Sequence, residues 1–161
     1  MSNQSNQSAE WADEIVKRHK DRVFRTAIAI MGNMTDAEDI SQDVFIKLLE
    51  KQPDFASTSH ETAWLMKVTV NLCKDRLRSF FRRKTEPLPE THPAQNNEQQ
   101  ELIEIVNLLP YKYKIVIHLY YYEGFSTYEI AEMTKQNNST VRSQLARARK
   151  SLKKFLEGED D

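Results

Sequence analysis

Residues 126–152 read STYEIAEMTKQNNSTVRSQLARARKSL, and the order of polar and apolar positions in this stretch decides the fold. Ser126 stands three residues before Glu129, the S-x-x-E pattern in which two side chains satisfy backbone donors left open at a helix start. Ile130, Ala131 and Met133 give this first helix an inner face. Lys135 to Asn138 holds nothing apolar, and asparagine both tolerates the left-handed backbone of a tight turn and caps a following helix. Beyond it Val141, Leu145, Ala148, Leu152 and Phe155 recur at spacings of four, three, four and three, one apolar stripe along a second helix. Two helices around a polar turn form a helix-turn-helix.

Opposite its stripe the second helix is basic. Between Lys135 and Lys154 there are seven Lys or Arg residues and no Asp or Glu. A merely solvated face mixes signs, whereas this one attracts phosphate. A helix-turn-helix places the N-terminal part of its second helix in the major groove. Ser139, Thr140, Arg142 and Ser143 are therefore the expected readers of base edges, with Arg142 able to contact guanine through both arms of its guanidinium. Arg147, Arg149, Lys150, Lys153 and Lys154 lie further along and are expected to hold phosphates.

A chain of 161 residues with 39% apolar and 29% charged residues and only three glycines favours helices, in one domain or two small ones. Net charge is −1, so the chain as a whole is no polycation. Its charges are sorted instead. Lys67 to Lys84 carries seven basic residues against Asp75 alone, while Asp36 to Glu50 carries five acidic residues against Lys47 alone. Two basic surfaces and one acidic surface point to more than one macromolecular partner. Cys73 is the only cysteine, which excludes an internal disulfide and a Cys-rich zinc site, and its neighbours predict a small core residue. His19, His60, His92 and His118 lie in separate segments without ligand spacing, so neither a metal site nor a catalytic triad is expected, and no cofactor. The polar start, MSNQSNQSAE, and the lack of a long apolar run lead to the expectation of a soluble, cytoplasmic, non-enzymatic protein without membrane insertion.

Residues 84–100, KTEPLPETHPAQNNEQQ, hold three of the five prolines and little that can be buried. They read as a flexible linker able to span about 50 Å if extended at about 3.1 Å per residue. The expected architecture is all-α: a disordered start over 1–9, a helical domain over 10–83, the linker, a four-helix domain over 101–156 with the helix-turn-helix, and an acidic tail over 157–161. In the first domain Trp11, Ile15, Val23, Ala27 and Ile30 share one helical face. Thr35 with Glu38 and Thr58 with Glu61 read as capping boxes of two further helices. Ala37, Ile40, Val44 and Leu48 line the second helix. Trp64, Leu65, Val68, Leu72 and Leu77 are the expected buried side of the third, with Lys67, Asn71, Lys74 and Arg78 along its other side. In the second domain Tyr111, Ile115, Leu119 and Tyr122 are expected to pack inward.

DAEDISQDVFIKL (Asp36 to Leu48), TAWLMKVTVNLCKDRLR (Thr62 to Arg78), LLPYKYKIVIHLYYYEGFSTYEIAEM and TVRSQLARARKSL together resemble the small extracytoplasmic-function sigma factors of bacterial RNA polymerase, which contain only regions 2 and 4. The resemblance runs from about Lys20 to Lys154. It implies that Asp36, Glu38, Asp39, Gln42, Asp43 and Phe45 face core RNA polymerase, at the basic coiled-coil of its beta-prime subunit. It implies that Lys67, Asn71, Lys74 and Arg78 capture the displaced strand of a −10 promoter element. Opening a duplex requires a pocket for an unstacked base and cations for the single-strand backbone. By the same resemblance the pocket comes from the loop Lys51 to Ser59. There Phe55 is either a stacking ring or an anchor on the core, and the sequence does not separate the two. Ser139, Thr140, Arg142, Ser143, Arg147 and Lys150 become the contacts to a −35 element. An anti-sigma factor that covers these faces is a further implied partner. The turn departs from the family pattern: an apolar residue, a proline and a glycine are usual where Gln136, Asn137 and Ser139 stand. Arg142 occupies a place often held by lysine and adds a fork that lysine lacks.

A promoter-specificity subunit accounts for all three charged surfaces. A stand-alone helix-turn-helix regulator is the alternative, and it leaves the cations from Lys67 to Arg78 without a purpose. A helical interaction protein that binds no DNA explains neither basic face.

Overall fold

The chain carries few helix breakers outside its central proline-rich stretch, and the computed structural model, which describes residues 2–83 and 104–158, is helical in every regular element of those segments. It divides into two compact units, Met1–Lys84 and Thr85–Asp161. The expected linker, 84–100, lies outside the described residues, as do 101–103 and 159–161 of the expected second domain and tail.

The first unit is a bundle of α1 (Ser2–Met31), α2 (Met34–Lys51) and α3 (Thr58–Arg83), each packed on the other two. α1 buries Ala12, Ile15, Val23, Ala27 and Ile30, and α2 buries Ala37, Ile40, Val44 and Leu48, as their spacing predicts. α3 buries Leu65, Met66, Thr69, Val70, Cys73 and Leu77. Val68 and Leu72, expected inside, are only half-buried. The buried stripe includes Thr69, whose hydroxyl donates to the Leu65 carbonyl at 2.7 Å, so a polar residue stands on the core side that a purely apolar pattern would exclude. The segment 1–9, expected to be disordered, is helical from Ser2: it contains no proline or glycine, and a helix nucleated by the packed turns after Ala12 extends at little cost per residue.

Both expected capping boxes in this unit are displaced upstream. α1 ends at Gly32, where φ is 82° and a side chain would be strained. Asn33 then caps α2, its side chain accepting from the Asp36 amide at 2.9 Å and donating to the Asp36 carboxylate at 2.8 Å. Thr35 and Glu38 fall inside the helix. At α3 the Ser57 hydroxyl accepts from the His60 amide at 3.1 Å. Glu61 is instead buried against α1, accepting from Arg18 Nε at 3.1 Å and His19 Nε2 at 2.7 Å. Burial pushes its carboxyl up, but the hydrogen bonds and charges of Arg18 and His19 outweigh that and hold it below its ordinary 4.5.

The second unit contains a helical turn at 104–107, α4 (Tyr111–Ile117) running on into a wide turn (His118–Tyr122), α5 (Thr127–Thr134) and α6 (Asn138–Glu157). Its core is Leu109, Ile115, Val116, Ile117, Leu119, Ile130, Ala131, Met133, Val141, Leu145 and Ala148. Tyr122, expected inside, is 77% exposed. The Glu123 amide bonds to the His118 carbonyl, a spacing of five that adds a residue to the turn and rotates Tyr122 off the buried face, where its ring stacks on His118 at 5.5 Å. Phe155, expected at the end of the α6 stripe, is 42% exposed.

Candidate nucleic-acid interface

The helix-turn-helix forms as its sequence requires. The Ser126 hydroxyl accepts from the Glu129 amide at 3.1 Å and the Glu129 carboxylate accepts from the Ser126 amide at 3.0 Å, closing the expected box. Lys135 ends α5 in the left-handed region at φ 55°, a conformation that costs an L-residue about 1 to 2 kcal/mol. Asn137 caps α6 through one side-chain oxygen that accepts from the Thr140 amide at 2.8 Å, the Thr140 hydroxyl at 2.7 Å and the Ser139 hydroxyl at 2.9 Å. The hydroxyls of Ser139 and Thr140 thus already donate within the cap, and their remaining capacity is as acceptors. Arg142, Ser143, Arg147 and Lys150 are exposed along α6. The positive end of the helix dipole adds to the attraction for phosphate at the first turn of α6. Arg149 differs from the expectation: its Nε donates to the Tyr121 hydroxyl at 2.6 Å and its guanidinium lies 6.0 Å from the Tyr120 ring centre, so it ties α6 to the wide turn after α4. A tyrosine 28 residues earlier, on a different element, gives no helical-wheel signal for such a partner.

The turn between α5 and α6 holds a polar pairing that sequence reasoning missed. The carboxamides of Gln136 and Gln144 bond reciprocally, Gln136 Nε2 to Gln144 Oε1 at 3.1 Å and Gln144 Nε2 to Gln136 Oε1 at 2.7 Å. Gln136 Nε2 also donates to the Thr134 hydroxyl at 2.9 Å, and that hydroxyl donates to the Ile130 carbonyl at 2.7 Å.

In the first unit α3 is unbroken, so Lys67, Asn71, Lys74 and Arg78 fall in one row at steps of four, three and four. Lys67 and Arg78 are exposed, Asn71 and Lys74 half-buried, and Arg78 lies 3.6 Å from Asp75 on the same surface. The row begins at an aromatic cluster. Phe55 is stacked against Trp11 at 6.3 Å and meets His60 and Trp64 edge-on at 5.4 and 5.9 Å. His60 Nδ1 accepts from the Ala56 amide at 3.1 Å, which fixes the loop that carries Phe55. The ring is thus anchored on three sides yet half exposed, and Trp11, from α1, is a contributor that no local pattern reveals.

The α2 face combines charge and apolar surface. Glu38, Asp39, Gln42 and Asp43 are exposed, Asp36 and Phe45 half-buried. Met34 is 50% exposed and Ile46 and Leu49 are 49% exposed, at positions that continue the same face. These three escaped the sequence reading, although large apolar residues off the buried stripe are its visible signal. Asp36 and Asp39 are partly committed within the chain: Arg76 Nη1 donates to Asp36 at 3.2 Å and to Asp39 at 3.4 Å. Among the described residues no cluster of His, Cys, Asp or Glu could hold a metal ion, and no helix is long and apolar enough to cross a membrane.

An all-helical protein of two units, one of them carrying a helix-turn-helix and the other a three-helix bundle with a cationic face, has the build of a sigma-70-type transcription factor. Residues 15–83 match sigma-70 region 2 and residues 99–152 match sigma-70 region 4. The chain is 30% identical to the RNA polymerase sigma factor SigV of Bacillus subtilis over 147 residues, covering 88% of this chain and 89% of SigV. It is 33% identical to the ECF RNA polymerase sigma factor SigE of Mycolicibacterium smegmatis over 157 residues, 89% of this chain, and spans 61% of that relative's length. The chain belongs to the extracytoplasmic-function (ECF) sigma factors of the sigma-70 family. Its fold is similar to that of the sigma factor RpoE crystallised with the anti-sigma factor NepR from Bartonella quintana, with a TM-score of 0.76 over 92% of this chain and 98% of that one at 24% identity. The region 2 match gives the N-terminal half a purpose that a stand-alone regulator would not.

Proposed function

We propose that the chain binds core RNA polymerase and directs promoter-specific initiation. Residues 101–156 read a −35 element as duplex, residues 10–83 open the −10 element, and the linker over 84–100 lets each work at its own site. The single observation that carries this reading is the pair of cationic helix faces on separate units: α6 follows a polar turn suited to a major groove, and the α3 row starts at an aromatic cluster suited to unstacked bases. On α6, Arg142 and Ser143 read base edges with Ser139 and Thr140 as acceptors, while Arg147 and Lys150 hold phosphates. On α3, Lys67, Lys74 and Arg78 follow the single-strand backbone, and Asn71, with Phe55 from the loop ahead of the helix, forms the wall against which a base is held.

The α2 face is the polymerase-docking surface, for the beta-prime coiled-coil: Glu38, Gln42 and Asp43 meet its basic side chains while Met34, Phe45, Ile46 and Leu49 supply apolar contact. Asp36 and Asp39 join only as far as Arg76 releases them. The chemistry of RNA synthesis belongs to the polymerase, so the chain works in the cytoplasm, where polymerase and DNA meet. An anti-sigma factor covering α2 and α3 is the proposed regulator, a reading supported by the sigma and anti-sigma pairing of the RpoE structure.

The test is reconstitution. Transcript starts mapped after overexpression define a promoter. Core polymerase with the purified chain is expected to initiate there from closed duplex, and core polymerase alone is not. Absence of any transcript, together with dimeric binding to a palindromic duplex, overturns the proposal in favour of a stand-alone regulator.

A further inference from the structure

The polar turn of the helix-turn-helix has no apolar residue to fasten α6 to α5, yet α6 must be held at a fixed angle if its first turn is to read bases. We propose that the reciprocal pair Gln136 and Gln144 is a positioning clasp that sets the pose of the reading turn and thereby the base preference at the −35 element. This rests on the reading of α6 as the −35 helix.

The chain of bonds is continuous. The Ile130 carbonyl, buried in α5, accepts from Thr134; Thr134 accepts from Gln136; Gln136 and Gln144 exchange two hydrogen bonds. Thr134 is 3% exposed, so the chain starts inside the core, and it ends one helical turn beyond Thr140 on the recognition helix. Both amides are half-buried, where an unmade hydrogen bond costs more than at a surface. Each carboxamide offers one oxygen and two N–H groups. Gln136 uses its oxygen and both donors here, so the geometry has no second equally bonded arrangement with its amide reversed. Gln144 lies two residues after Arg142, about 200° further round α6 at roughly 100° per residue and so on the side away from it, and its clasp fixes rotation about the helix axis rather than contacting DNA. Lys135, left-handed just before Gln136, supplies the reversal that brings the two amides face to face.

Gln136 and Gln144 are therefore positioning residues, and their signature is selectivity, not stability alone. The holoenzyme, core polymerase with the full chain, is used to select from a duplex library randomised over the −35 region, and thermal midpoints of the free chain are measured in parallel. Gln136→Ala and Gln144→Ala are each expected to lower the enrichment of the preferred bases roughly three- to tenfold, with no further loss in the double variant, because either substitution opens the same pair. Gln136→Lys combined with Gln144→Glu, in which the lysine donates to both Thr134 and the new carboxylate, is expected to restore most of the enrichment. This combined variant retains the connection and decides the question even where an alanine variant folds poorly. A wild-type preference that persists unchanged in the alanine variants, or losses that add in the double variant, overturns the clasp and leaves the −35 reading standing. A wild-type holoenzyme with no preference at all overturns both.

Discussion

Arg142→Ala removes the one exposed guanidinium in the first two turns of α6, four residues past its start at Asn138 and thus about 6 Å along the helix axis. Arg142 is exposed and makes no ion pair with any described residue, so the substitution breaks little within the protein and its effect falls on the DNA. A lost two-armed contact to a guanine costs about 1 to 3 kcal/mol, which is roughly a 5- to 150-fold loss at the matched element and a relaxed preference at one base. Lys150→Ala, two turns further on and also exposed, provides the contrast. It should weaken all sequences alike and lower the slope of log affinity against log salt by about 0.9, the contribution of one released counterion. The assay is competition binding of holoenzyme to matched and single-base-altered −35 duplexes across a salt series. A uniform, salt-sensitive loss in Arg142→Ala, indistinguishable from that of Lys150→Ala, would refute its assignment as a reader.

Two further predictions concern the scaffold. Glu61 is held below its ordinary 4.5, so its contribution to stability is complete above that value and is lost as pH falls through the lowered one. Glu61→Gln is expected to lower the thermal midpoint at pH 7, with the gap to wild type narrowing only below about pH 4.5; a gap that stays constant to pH 3 contradicts the pairing with Arg18 and His19. Lys135→Gly relieves the left-handed strain of about 1 to 2 kcal/mol against a lost backbone-entropy advantage of about 0.5 to 1 kcal/mol, so a modest rise in the thermal midpoint is expected, and a fall would show that the turn is not held as described.

How far the fold was legible depended on whether a residue's role is local. Ser126 and Glu129 cap a helix whose limits are set within four residues, and the pattern sufficed. Asn33 and Ser57 also cap locally, but each stands upstream of an equally plausible threonine, and the choice is made by where the preceding segment ends: at Gly32 for α2, and at the loop held by Phe55 for α3. Glu61 was misread as a cap because its partners, Arg18 and His19, lie about forty residues away. Tyr122 was misplaced because a wheel of constant pitch has no room for the extra residue of the turn after α4. The same distinction governs the site. The cationic rows of α3 and α6 were visible because charge and helical period are written along one element. Arg76 against Asp36 and Asp39, Arg149 against Tyr121, and Trp11 against Phe55 were not, since each joins elements that only the packed fold brings together.

The claim on which the rest depends is that α6 grips paired DNA while α3 traps bases released from the stack. Permanganate reactivity of −10 thymines tests it, with holoenzyme carrying Lys67→Ala, Asn71→Ala, Lys74→Ala and Arg78→Ala together and the −35 footprint measured on the same template. The expected result is a lost bubble with the −35 footprint retained; an undiminished bubble would contradict the account.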